Sequence, residues 1–261
     1  EELPKSLFKQ KVECLDEMIL KHSSINFILG SSMVESTIIP DSIGQNWFSF
    51  SGGGQNIYES YIFLNHYKNK VKIDTILIGL NPFDFVYSYK KNRTEQFPPL
   101  NGGFNYFHSD SITSIEKYTN LKRYVHNLFE NYFYDLEDLI AFRDKKYISK
   151  YKVSKTGFTI DRKSQSYNLD SLYITNPNLF FRHKGYYHNV KTPANLKYFD
   201  FFNDLIKSLD IKTIYLITPK SKYYKINMEK LGYDNKWADI LNSLKNKSIE
   251  LWNYEDMITN T

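Results

Sequence analysis

Cysteine is almost missing from this chain: Cys14 is the single one. An intrachain disulfide and a cysteine-based zinc site are therefore both excluded. Cys14 lies in Phe8–Leu20, whose apolar residues recur at helical spacing, so a packing role is expected for it. Long hydrophobic runs are absent too. No stretch nears the ~20 apolar residues that cross a bilayer, and no leader peptide is visible. The chain begins at Glu1 rather than Met, which leaves room for a membrane tether upstream. Charge of one sign is not concentrated either. The net charge is +5, from 34 basic and 29 acidic residues. The clusters Lys90-Lys91-Asn92-Arg93 and Arg143-Asp144-Lys145-Lys146 are short and isolated. A nucleic-acid binder gathers such residues into one stripe, so these read as solvated surface and no nucleic-acid partner is expected. No His-x-x-x-His pair or group of closely spaced carboxylates offers metal ligands. No metal or cofactor is expected.

What is present is enough for a core. Hydrophobic residues make up 41% of the 261 positions, and aromatics 17%. Ile25–Leu29 is a short apolar run stopped by Gly30-Ser31-Ser32, the pattern of a buried strand entering a tight turn. Further strands are expected at Trp47–Ser51, Ile73–Leu80, Lys212–Pro219 and Ser248–Asn253. Helices are expected at about 5–22, Asn56–Lys68, Leu196–Leu209 and Trp237–Leu244. The third of these places Phe199, Phe202, Leu205, Ile206 and Leu209 on one face. Strands alternating with helices predict an α/β fold with a mainly parallel five-stranded sheet. The stretch from about 88 to 190 breaks this rhythm. It reads as a large insertion between the third and fourth core strands, with a helix at Leu121–Ile140 and strand patterns such as Gly157–Ile160. Its expected place is over the carboxyl edge of the sheet, where α/β proteins bind ligands.

Three strand ends carry residues with chemical potential. At the first, Ser32 follows Gly30-Ser31, where a hydroxyl can project above the sheet among backbone N–H groups. At the second, Ser51-Gly52-Gly53-Gly54-Gln55-Asn56 lets backbone approach a ligand. It lacks the Lys of a phosphate-binding loop and the third Gly of a dinucleotide fingerprint. At the third, Asn81 in Gly79-Leu80-Asn81-Pro82 can offer its amide to a developing oxyanion.

In order and spacing these segments resemble the first three blocks of the SGNH hydrolase superfamily, the GDSL-type esterases. Gly30-Ser31-Ser32 matches the Gly-Asp-Ser block. Gly52, with Gly53 or Gly54 as alternatives, matches the second-block glycine. Gly79-Leu80-Asn81-Pro82 matches Gly-x-Asn-Asp. The Gly-Ser-Ser form looks most like a cell-surface branch, which includes proteins similar to the teichoic-acid D-alanylation protein and alginate-type O-acetyltransferases. The resemblance covers residues 25–85 well and 212–256 loosely. It implies a single domain over 1–261, a flavodoxin-like three-layer α/β/α sandwich, and an extracytoplasmic, bacterial location. It also implies a serine esterase or O-acyltransferase acting on acyl groups of a surface carbohydrate. Ser32 would attack. Its own N–H, the Gly52 N–H and the Asn81 side chain would hold the oxyanion.

The family's fourth block, Asp-x-x-His, is not found, and no His follows His188. Three readings stay open. The block lies beyond Thr261; or His183 or His188 substitutes as base; or the chain descends from an enzyme and only binds glycans or assembles with a partner. A nucleotide-binding protein using the Gly52–Gly54 turn is a further alternative.

Overall fold

A computed structural model describes residues 7–35, 37–52, 55–86, 151–161, 196–220, 222–230, 232–245 and 249–255. Its centre is a five-stranded sheet of β1 (Ser24–Leu29), β2 (Trp47–Ser49), β3 (Lys72–Leu80), β6 (Lys212–Ile217) and β7 (Glu250–Asn253). The strand order is β2-β1-β3-β6-β7, and every pairing is parallel. All five carboxyl ends therefore meet one edge of the sheet. Helices flank it: α1 (Leu7–Lys21), α2 (Ser32–Glu35), α3 (Ile57–Tyr67), α4 (Pro82–Val86), α5 (Leu196–Ser208), α6 (Lys222–Lys230) and α7 (Tyr233–Lys245).

The period-two pleat divides the core. Ile25, Phe27 and Leu29 of β1, with Ile76, Ile78 and Leu80 of β3 and Tyr215 and Ile217 of β6, cluster with buried residues of α1, α3, α5 and α7. Phe27 meets Phe63 of α3 edge-on at 5.1 Å. The alternate residues Ile28, Leu77 and Leu216 form a second cluster with Val34 of α2. The central strands thus bury both faces, which is why they read in sequence as continuous apolar runs.

The contact of α2 with the sheet depends on an absent side chain. A Cβ on Gly79 would lie 1.6 Å from Val34 Cγ2. Opposite it, Gly30 has φ +133°, and its Cβ would come 3.0 Å from the Gly79 carbonyl oxygen and 3.2 Å from Val34 Cγ2. The two glycines make a bare floor on adjacent strands, and Val34 stands on it.

The described part of the expected insertion is a hairpin of β4 (Tyr151–Val153) and β5 (Thr159–Asp161). It lies alongside β2 instead of over the carboxyl edge. Ser49, whose inner side faces β1, donates its N–H to the Thr156 carbonyl at 2.8 Å. The Thr156 hydroxyl donates to Asp41 at 2.9 Å. Gly157 (φ +77°) permits the approach, since its Cβ would fall 2.3 Å from the Ser49 carbonyl oxygen. The hairpin thereby covers backbone groups that an edge strand would otherwise expose. Leu121–Ile140 and both basic clusters lie outside the described residues.

Most expected elements form near their expected bounds. β2 stops at Ser49 rather than Ser51, and the helix expected at Trp237 begins earlier, at Tyr233. Helices α2, α4 and α6 were not anticipated. The first two have four and five residues and carry no legible period. The third is largely polar (Lys222-Tyr223-Tyr224-Lys225-Ile226-Asn227-Met228-Glu229-Lys230).

Gly79→Ala should destabilise the protein by about 1–3 kcal/mol through overpacking. Adding Val34→Ala should recover part of that loss in a double-mutant cycle read by chemical denaturation. Additive losses would show that the two positions do not meet.

Candidate functional site

The carboxyl edge gathers the three sequence-selected strand ends. After β1 the chain turns through Gly30 and Ser31 into α2. Ser31 is buried, at 4% exposure, whereas Ser32, the first residue of α2, is exposed. The Ser31 carbonyl accepts the N–H groups of Val34 (3.0 Å) and Glu35 (3.1 Å), which makes Ser31 the cap of this single turn. Its hydroxyl points elsewhere. It accepts from Asn81 Nδ2 at 2.9 Å, across fifty positions of sequence. This bond ties the end of β1 to the end of β3. The chain leaves β1 toward β2 on one side and later returns to β3 on the other. The bond therefore sits at the crevice where open parallel sheets bind ligands.

Asn81 is itself held from below. Asp84 Oδ2 accepts the Asn81 backbone N–H at 2.7 Å. The Asp84 N–H returns to the Asn81 carbonyl at 3.1 Å. With Pro82 as first helical residue, this is a capped helix start. The cap is unusual in one respect: the Asn81 amide reaches across to Ser31 rather than to its own helix. At α3 the same pattern is regular. Asn56 accepts from the Glu59 N–H at 3.1 Å, and Glu59 Oε2 accepts from the Asn56 N–H at 2.9 Å.

Asp84 is buried and Glu59 is half-buried. Burial is the main cause that raises each pKa: Glu59 reaches about 7, opposed by its bond to the Asn56 N–H. Asp84 is held well above the ordinary carboxyl range, with the nearby Glu59 adding to the effect and Lys220 opposing it. Lys220, after β6, is itself buried. It pairs with Glu255 at 2.5 Å and stands 4.7 Å from the centre of the Trp237 ring. Trp237 Nε1 donates to the other Glu255 oxygen at 3.2 Å. The segments that follow β6 and β7 are thus cross-linked by polar contacts, with α7 joined to them through Trp237.

The second block behaves differently from expectation. Gly52 donates its N–H to the Gly30 carbonyl at 3.0 Å, and Phe50 donates to Ile28 at 2.9 Å. Gly52 therefore continues the β2·β1 ladder. In this arrangement its N–H is engaged with the sheet and is not turned toward Ser32. Gly53, Gly54, His183 and His188 lie outside the described residues.

No protein-family model matches the chain, and a search of curated proteins finds no match. Among the described residues, no group of His, Cys, Asp and Glu could hold a metal ion, and no helix is long and apolar enough to cross a membrane. Sequence reasoning missed Asp84 and Glu59, although Asn-x-x-acid just after a strand is a legible helix-start signal. It missed Lys11, Lys220 and Glu255 because nothing in a sequence marks which charged residue will be buried.

The raised acids give a pH dependence with a definite sign. An unfolded glutamate titrates near 4.3, and Glu59 in the folded chain titrates at about 7. Between these values the folded state keeps a proton that the unfolded state has released, so stability falls as pH rises through that window. Asp84 acts in the same direction. Glu59→Gln should match the wild type near pH 4.5 and exceed it at pH 8, by roughly 3 kcal/mol at most. Urea denaturation at the two pH values measures this. A variant less stable than wild type at pH 8 would contradict it.

Proposed function

We propose that this chain is an SGNH-type serine esterase or O-acyltransferase that acts on acyl groups of a bacterial surface carbohydrate. The strand order supports the finer architecture. Counting only the central sheet it is 2-1-3-4-5, the flavodoxin-like order expected of a three-layer α/β/α SGNH scaffold. The observation that carries the reading is the Asn81–Ser31 hydrogen bond. It brings the first and third sequence blocks together at one edge and leaves the adjacent Ser32 exposed there.

In this reading Ser32 Oγ attacks the acyl carbon. The oxygen of the tetrahedral intermediate is held by the Ser32 N–H and by an Asn81 amide that loosens from Ser31. Because the Gly52 N–H is engaged with Gly30, the second-block alternatives Gly53 or Gly54 would complete the set. The proton of Ser32 passes to a histidine, either in an Asp-x-x-His segment beyond Thr261 or at His183 or His188. The intermediate collapses by breaking the donor's ester C–O bond; the leaving alcohol takes the proton back from the histidine, and the acyl group remains on Ser32 Oγ. Its transfer to water gives hydrolysis, and to a sugar hydroxyl O-acylation. The donor and acceptor are an acyl ester and a carbohydrate, and the place of action is the periplasm or the cell surface.

One observation favours the alternative of a glycan-binding or assembly protein on the same scaffold. Gly52 and Asn81 already spend their N–H groups on Gly30 and Ser31 within the fold. The two readings separate on the full-length protein with p-nitrophenyl acetate. The enzyme reading expects turnover that Ser32→Ala abolishes and that Asn81→Ala lowers ~100- to 1,000-fold in kcat. Equal turnover in wild type and Ser32→Ala removes Ser32 from the mechanism. Glycan binding that survives Ser32→Ala, with no turnover in any variant, establishes the alternative.

A further inference from the structure

We propose that Lys11 is a positioning residue that fixes the Gly30-Ser31-Ser32 turn from two sides. Its catalytic consequence rests on the esterase or acyltransferase reading above. Its structural part does not.

Lys11 sits on α1 among the buried Val12, Leu15 and Met18, and is itself only 4% exposed. An ammonium in such a place is costly unless it is paired and hydrogen-bonded. An apolar side chain would fill the position without that cost. What the charge adds is direction, and Lys11 Nζ makes two directed bonds. It donates to the Ser51 carbonyl at 2.5 Å and to Glu35 Oε1 at 2.8 Å.

The first bond acts through a peptide. The Ser51 carbonyl and the Gly52 N–H belong to one amide group, and that N–H donates to the Gly30 carbonyl at 3.0 Å. The Gly30 carbonyl in turn shares its amide with the Ser31 N–H. Hydrogen bonds in series polarise one another, and a charged donor at the head of the series strengthens the first link. Lys11 thus holds the plane of the Ser51–Gly52 peptide and, through it, the backbone that enters the turn. The second bond acts through α2. That helix has four residues, Ser32 first and Glu35 last. A single turn does not hold itself in water. Val34 fixes its middle on the glycine floor, and Glu35 fixes its end on Lys11. Thr159 of β5 donates to the same Glu35 oxygen at 2.5 Å, so the edge hairpin joins the anchor. Every anchor sits within three residues of Ser32.

Among the described residues, Glu35 is the charged group that acts on Lys11. Burial is the largest influence and lowers the Lys11 pKa, and Glu35 opposes it.

The test uses the full-length protein, with Lys11→Met and wild type compared by NMR and by p-nitrophenyl acetate turnover. The expected result is an upfield move of the Gly52 amide proton and a shifted Ser51 carbonyl carbon in Lys11→Met. In the same variant kcat falls ~10-fold, which corresponds to about 1.4 kcal/mol of transition-state stabilisation, with KM unchanged. Unmoved Ser51 and Gly52 resonances in a folded Lys11→Met protein would overturn the proposal, whatever the turnover. Moved resonances with no turnover in wild type would leave the structural clamp standing and remove the hydrolase reading instead. Should Lys11→Met not fold, the wild type alone decides. On raising pH, the Ser51 carbonyl carbon should follow Lys11 deprotonation at a midpoint below that of an ordinary lysine. A Ser51 signal that stays still while Lys11 titrates would refute the clamp.

Discussion

Val34 stands where two neighbouring strands have no side chains. Gly30 and Gly79 leave the floor bare, and a single methyl on Gly79 would occupy the space of Val34 Cγ2. That contact sets how closely the first turn after β1 lies against β3. Only at this distance can Asn81 reach the Ser31 hydroxyl at 2.9 Å. The glycines of the first and third sequence blocks thus have a packing reason that is independent of any chemistry. The chemistry proposed for the edge needs the same close approach.

Around this contact the edge is built from buried polar groups whose partners come from distant segments. Asn81 joins β3 to β1. Asp84 supports Asn81, Lys11 joins α1 to the ends of β2 and α2, and Lys220 with Glu255 joins β6 to β7. Such groups contribute little net stability, because desolvation offsets much of what each bond gains. Their effect is geometric. A misplaced partner would leave a buried charge or amide unsatisfied, so the loops have few other ways to settle. That property suits an edge where loops from separate strands must present atoms to one ligand.

The sequence showed the sheet clearly and the edge only in part. β1, β3 and β6 are buried on both faces, and Ile25–Leu29, Ile73–Leu80 and Lys212–Ile217 therefore stand out as apolar runs. The α5 face was equally plain, with Phe199, Phe202 and Ile206 buried as their spacing demands. Helices α2 and α4 were invisible because tertiary contacts hold them: Val34 on the glycines and Phe85 against Phe199 and Trp237. At the site, residue types and order singled out Ser32, Gly52 and Asn81. They did not show that Ser31 rather than Ser32 would be the buried partner of Asn81, nor that the Gly52 N–H would extend the sheet. Both depend on a strand register that only the folded chain displays. Lys11 looked like one more polar position on an amphipathic helix.

The account turns on Ser32 being the reactive hydroxyl beside Asn81. A crystal structure of the full-length protein treated with a fluorophosphonate tests this directly. The predicted result is a phosphonyl group on Ser32 Oγ, with a phosphoryl oxygen within hydrogen-bond reach of the Ser32 N–H and the Asn81 amide. An unmodified Ser32, or an adduct whose oxygen points away from Asn81, would contradict it.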